Sequence, residues 1–266
     1  MPNAIISPWF GQYTFELNQT FYLNFGTLEF WITRKTKEWL IHYTHHHTLL
    51  DEPEQVQIHP TAEIPKQSDG IKRIVTTQTH SSLDIMPLLA DRALVSRPTI
   101  PTIIAQGEVI TLFVTCSCWC HIKIHGTDIT LLDIPIKRYS DTWFGPNPRE
   151  GELCYASKTS ASLDAEGYIT KPYRAKIPIK IINRLGESFC LERLNIPVPY
   201  LDVFIDEQYQ LWGQGLSFLR ELPHKNIKIR ANKTEALEKL GLKRIVSARQ
   251  TSDENIMMKA FDMLFA

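Results

Sequence analysis

Apolar and polar side chains alternate with a period of two through several stretches of this chain. Leu28, Phe30 and Ile32 alternate with Glu29, Trp31 and Thr33, and Trp39, Ile41 and Tyr43 alternate with Leu40 and His42. Such a repeat puts one set of side chains on each face of a sheet and predicts half-buried antiparallel strands. Asn18-Gln19, Asn24-Phe25-Gly26 and Lys35-Thr36-Lys37 fit the turns between them. Residues 45–82 hold Pro53, Pro60 and Pro65 and the turn signal Ser68-Asp69-Gly70. They predict a long loop region with short strands at 56–58 and 72–76. Residues 83–92 are expected to form one or two helical turns.

A second strand block follows. Residues 109–115, 121–125 and 130–136 read as strands, with Gly126-Thr127-Asp128 as a turn. In 175–183, Ile177, Ile179 and Ile181 alternate with Lys176, Pro178 and Lys180. A proline inside a strand points to a sheet edge. The turn at 183–187 leads into a returning strand at 189–194, and a meander of strands continues to 231. Two helices are expected to close the chain. Residues 233–240 end at Gly241, and 251–265 open on a capping box of Thr251 and Glu254. The predicted fold is all-β, with two sandwich-like antiparallel units and a short α-helical C-terminus. The expected division is 1–95 and 96–266.

Composition narrows the function classes. The chain has 266 residues, and Lys+Arg and Asp+Glu both number 29. No global field draws it to nucleic acid or an anionic membrane, so no nucleic-acid partner is expected. The first residues lack a basic stretch followed by a long apolar one, so no signal peptide is expected. Apolar runs such as 109–114 are too short to span a bilayer, so no direct membrane insertion is expected either. A cytoplasmic location follows as the expectation. The five Cys are an odd number, which argues for reduced thiols over a disulfide framework.

Three groups of residues offer chemistry. Cys116, Cys118 and Cys120 occupy alternate positions of a predicted strand. Three thiolates on one face suit a soft metal, yet same-face neighbours on a strand stand ~6–7 Å apart and converge poorly on one ion. Three small buried hydrophobes are the simpler reading. His45, His46 and His47 form a triplet, with Asp51 and Glu52 after it. No recognised ligand spacing accompanies it, and a solvated loop explains it better. Residues 140–159 combine aromatic, turn-forming and charged residues between two strand-like runs. Loops on a rigid sheet often carry function. The candidate binding residues here are Asp141, Trp143, Arg149, Glu152 and Tyr155, together with Arg193 from the following strand. Asp141 and Glu152 offer paired carboxylates for acid–base work, Arg149 an anion clamp, and Trp143 with Phe144 a pocket wall. An Arg193 turned inward would need a carboxylate such as Asp141 or Glu152. The alternative is that the turn is packed by its aromatics and its charges pair locally.

No G-x-x-x-x-G-K-[ST], G-x-G-x-x-G, H-E-x-x-H or G-x-S-x-G motif is present. No metal site and no cofactor is assigned.

The stretches Asp141-Thr142-Trp143-Phe144-Gly145, Gly151-Glu152-Leu153-Cys154-Tyr155-Ala156 and Leu191-Glu192-Arg193-Leu194 with Ile196-Pro197-Val198 carry a family resemblance. In them the chain resembles a prokaryotic family of unknown function, the one numbered four hundred and thirty-two among such domains. The likeness covers about 98–222, and more loosely the N-terminal strands. It implies a cytoplasmic β-rich protein with no established activity, from a family whose genes can lie near mechanosensitive-channel genes. The Cys116–Cys120 run departs from that pattern.

The leading expectation is therefore a non-catalytic binding or accessory module with a protein partner, for which the family resemblance points to a membrane channel. The alternative is a small-molecule or metal-dependent enzyme with its site at 140–159. A homo-oligomeric structural protein is the third reading.

Overall fold

Alternation in the sequence becomes alternation in burial. Along Leu28–Arg34, Leu28, Phe30 and Ile32 are fully buried, while Glu29 and Trp31 are half-exposed. The strand Arg174–Asn183 buries Ile177, Ile179 and Ile181 and exposes Lys180. The computed structural model describes residues 8–46, 56–98, 100–158, 162–163, 171–220 and 227–251. Strands make up just over half of these residues, with one short α-helix at Thr234–Glu238 and a single 3-10 turn at Val198–Tyr200. The all-β, sandwich-like prediction holds.

The chain divides into two units. The first holds Met1–Pro87, Cys118–Lys137 and Lys171–Tyr173, and the second holds the remainder. The division is interleaved, where the sequence reading put a single boundary near Ser96. The reason is that Trp119–Ile124 and Thr130–Pro135 complete a four-stranded sheet with Gly11–Thr14 and Ser82–Leu88.

The other sheet of the first unit has five strands, in the order Gln57–Thr61, Thr20–Asn24, Leu28–Arg34, Glu38–His45 and Gly70–Val75. Aromatic edges lock its core. Phe15 lies 4.7 Å from Phe21 and 5.1 Å from Trp39, ring centre to ring centre, and Trp9 lies 4.9 Å from Phe25. Perpendicular packing of this kind suits the ring quadrupoles.

The second unit holds a seven-stranded sheet, a four-stranded sheet and a two-stranded ribbon. The seven-stranded sheet is built on Arg174–Asn183. Val109–Ser117 runs antiparallel on one side of it, and Leu211–Gly213 and Leu216–Arg220 run parallel on the other. Pro178 is therefore not at an edge. The two parallel partners pair with 175–176 and 179–183, so Pro178 falls in the break between them, where its missing N–H interrupts no ladder bond on that side. The ribbon pairs Phe189–Leu191 with Thr102–Ile104, so the turn at 183–187 does not close a hairpin.

Other differences have local causes. Residues 82–88 form a strand instead of helical turns, because Leu83 and Ile85 are buried while Asp84 and Met86 are half-exposed. Residues 140–158 form a hairpin instead of a loop. The Cys run is broken, since one strand ends at Ser117 and the next begins at Trp119. The helix expected at 233–240 is present, and the Leu242 amide donates to the Leu237 carbonyl across Gly241, whose φ is +84°. The helix expected at 251–265 falls outside the described residues, apart from Thr251.

Candidate functional site

Ser140–Asn147 and Glu150–Lys158 form an antiparallel hairpin at one edge of the four-stranded sheet, followed by Leu94–Arg97 and Leu194–Ile196. Its tip is set by Asn147, whose side-chain oxygen accepts the backbone amides of Arg149 (2.8 Å) and Glu150 (2.9 Å). An Asx turn of this kind pre-forms the tight reversal. Behind the tip, the Trp143 indole donates to the Asn147 carbonyl at 2.9 Å and lies over Gly145 and Gly151. A Cβ on Gly145 would stand 2.1 Å from the Glu150 carbonyl, and one on Gly151 would stand 2.5 Å from that of Phe144. The two strands approach too closely here for any side chain, which explains the glycines.

The register assigns the two faces. Asp141 is opposite Tyr155, and Trp143 is opposite Leu153. These four share the outer face, because directly paired residues point to the same side. Thr142 opposite Cys154 and Phe144 opposite Glu152 share the other face. There Phe144 and Cys154 are buried.

A charged cluster stands at the base of the outer face. Arg92 pairs with Asp141 at 3.2 Å, and its guanidinium lies 5.2 Å from the Tyr155 ring centre. The Tyr155 hydroxyl donates to Asp91 at 2.9 Å. Burial, and then the hydrogen bond to Asp91, push the Tyr155 phenol up to about 12. Tyr155 therefore acts as a neutral donor with a cation over its ring. Tyr139 lies 5.7 Å from Tyr155. The Tyr139 hydroxyl accepts the Ser117 amide and donates to the Cys116 sulfur, and burial raises it well above the usual phenol range. The apolar end of the outer face is open, with Trp143 and Leu153 exposed by 43% and 47%.

On the opposite face, Asn195 donates to Glu152 at 2.5 Å, and the Arg193 guanidinium lies 5.1 Å from the Phe144 ring centre. The expected pairing of Arg193 with Asp141 or Glu152 is replaced by Arg92–Asp141 and Asn195–Glu152. The six candidates thus divide. Asp141, Trp143 and Tyr155 come together, Glu152 and Arg193 belong to the other face, and Arg149 sits exposed at the tip. Asp141 and Glu152 lie on opposite faces of the hairpin, so they do not face one substrate site as a general acid and base would. Asp91, Arg92 and Tyr139 complete the outer cluster. Their partners are far away in sequence, and only the Asp91-Arg92 adjacency hinted at them.

The other candidates separate too. The His45 ring reaches the Pro135 carbonyl at 2.9 Å, and the His46 ring reaches Glu29 at 3.0 Å. The two rings reach different partners and do not converge. His47, Asp51 and Glu52 lie outside the described residues. Among the described residues, no group of three or more His, Cys, Asp or Glu side chains is placed to hold a metal ion. Cys116, Cys118, Cys120 and Cys154 are buried, and Cys190 is exposed. Burial raises the Cys116 thiol to about 11 and the Cys154 thiol to about 12, and it raises Cys120 further. A thiol held protonated and covered is inert. In the native protein, Cys190 is expected to react with an aromatic disulfide reagent in one fast phase, and the other four only after denaturant is added. Fast native labelling of a second thiol would contradict this packing.

Among the described residues, no helix is long and apolar enough to cross a membrane. No curated protein and no solved structure matches the chain. A family model described as "Protein of unknown function (DUF432)" matches residues 9–265, a span that includes the hairpin and residues of both units. The chain belongs to the DUF432 family.

Proposed function

We propose that this protein is a binding module that acts in the cytoplasm as an accessory to a membrane channel, docking its partner on the outer face of the 140–158 hairpin. The observation that carries this is the cross-strand pair Trp143–Leu153, open at the surface and continuous with Asp141 and Tyr155. Protein interfaces favour this composition, with aromatic anchors and an arginine and few flexible lysines. The Gly145–Gly151 contact holds the indole in place before binding, which lowers the entropy lost on docking. The partner supplies an apolar side chain over Trp143 and Leu153 and polar groups to Asp141 and Arg92. The placement of Asp141 and Glu152 on opposite faces favours binding over acid–base chemistry here. The channel as partner rests on the family resemblance.

The test is a mild affinity pull-down at native expression, with membrane and soluble fractions analysed separately. A channel protein that co-purifies with the wild type and is lost with Leu153→Glu supports the proposal. Equal recovery of that protein by both forms, or a wholly soluble protein with no specific partner, refutes it.

A further inference from the structure

The five-stranded sheet of the first unit carries an aromatic row on one face. His59 pairs with Tyr22, Tyr22 with Trp31, Trp31 with His42 and His42 with Ile71. Directly paired residues point to the same side, so these five side chains form one line across all five strands. Leu23, Phe30 and Ile41, each one position along its strand, are fully buried and form the core face. The row therefore lies on the outer face. Tyr22, Trp31 and His42 are half-buried there, and His59 and Ile71 are exposed.

The rings are inclined to one another. Tyr22 and Trp31 lie 5.1 Å apart, centre to centre, with their planes at 42°, and Tyr22 and His59 lie 5.2 Å apart at 54°. Rings inclined in this way do not close face to face, which leaves shallow slots between neighbours. The Tyr22 ring is fixed by its hydroxyl, which donates to Glu29 at 2.5 Å, and the other oxygen of Glu29 is 3.0 Å from the His46 ring. Among the described residues, the Trp31 indole makes no hydrogen bond, so its N–H is a donor without an acceptor.

Spacing and chemistry select the ligand. Neighbouring strands stand ~4.8 Å apart, so positions two strands apart stand ~9.6 Å apart. A polyproline II helix rises ~3.1 Å per residue with three residues per turn, so residues i and i+3 stand ~9.3 Å apart on one face. A segment laid along the row thus sets two prolines, three residues apart, at the His59–Tyr22 and Trp31–His42 gaps. The row from His59 to His42 is ~14 Å long and holds about five residues of such a helix. Proline has no N–H, so the segment presents carbonyl acceptors, which are what the Trp31 N–H lacks. Glu29 and Glu38 share this face and oppose a phosphate backbone, which disfavours stacked nucleotides.

We infer that this face is a docking surface for a proline-rich segment of a partner protein, bound in the polyproline II conformation. Such a segment is extended before it binds, so little chain entropy is lost on docking. The surface belongs to the smaller unit and uses no residue of the hairpin.

Fluorescence anisotropy of the full chain with a fluorescein-labelled decaproline tests this, beside a Gly-Ser decapeptide and a single-stranded decathymidylate carrying the same label. Saturable binding of decaproline alone is expected. It weakens about tenfold in Trp31→Ala and about threefold in His59→Ala, as loss of a central and of a terminal aromatic contact implies. His59 is exposed, so its removal leaves the core closed. Trp31→Phe keeps a ring and loses the N–H, and its affinity falls between wild type and Trp31→Ala. Ile103→Ala, exposed in the other unit, serves as the control and binds as the wild type does. Decathymidylate bound in place of decaproline, equal binding of the Gly-Ser peptide, or no saturable binding overturns the inference. So does decaproline binding that is unchanged in Trp31→Ala and His59→Ala proteins with wild-type melting.

Discussion

Replacing Trp143 with alanine is expected to weaken partner capture about 30-fold, the effect of losing ~2 kcal/mol at an interface anchor. The indole meets the conditions for such an anchor. It is held by its hydrogen bond to the Asn147 carbonyl and by contact with two glycines, yet 43% of the residue remains exposed. Holding it before binding means little rotamer freedom is lost on docking. Leu153 opposite widens the patch, and the Arg92–Asp141 pair marks its polar side. The variant should lose only about 1 kcal/mol of stability, as a partly exposed position implies. Binding and folding are thus separable, and a melting curve beside the pull-down distinguishes them. Trp143→Ala binding within a factor of about two of wild type, against the ~2 kcal/mol expected, would remove the hairpin from the interface.

The second large effect concerns folding. Asn183→Ala should destabilise the larger unit by about 3–5 kcal/mol in urea unfolding, since it leaves three carbonyls and one amide without their buried partner. Asn183→Asp should fare little better, because an ionised carboxylate accepts but cannot donate to the carbonyls. A loss below about 1 kcal/mol in both variants would show that water replaces the amide, and that the 104–105 and 185–187 segments are not held together by this residue.

The strands were legible because burial follows alternation. Ile177, Ile179 and Ile181 against Lys180 gave the central strand of the larger unit, and Leu28, Phe30 and Ile32 gave one in the smaller. What misled was composition. Gly145, Pro146, Pro148 and Gly151 made 140–159 read as a loop, whereas the glycines let two strands touch. Pro178 read as an edge marker, because nothing local reveals a break between two parallel partner strands. Parallel pairing joins distant segments and leaves no turn signal between them.

The candidate site was legible as a segment but not as a surface. Asp141, Trp143 and Tyr155 were grouped by proximity in sequence, and the strand register places them on one face. Glu152 was grouped with them by proximity in sequence, and the same register sends it to the other face beside Asn195. Arg92 and Asp91 lie 49 and 64 residues upstream of their partners Asp141 and Tyr155, and no motif links them. Asn183 read as a turn residue, and its role as the tie of two loops comes only from the fold.

The account rests most on the outer face of the hairpin being an interface. Site-specific photocrosslinking in the native host tests this directly, with the reactive group placed at position 153 and, as a control, at the exposed Val75 of the other unit. The account predicts one dominant adduct from position 153, recovered with the membrane fraction and containing a channel protein, and none of that adduct from position 75. No adduct from position 153, or the same set of adducts from both positions, would contradict it.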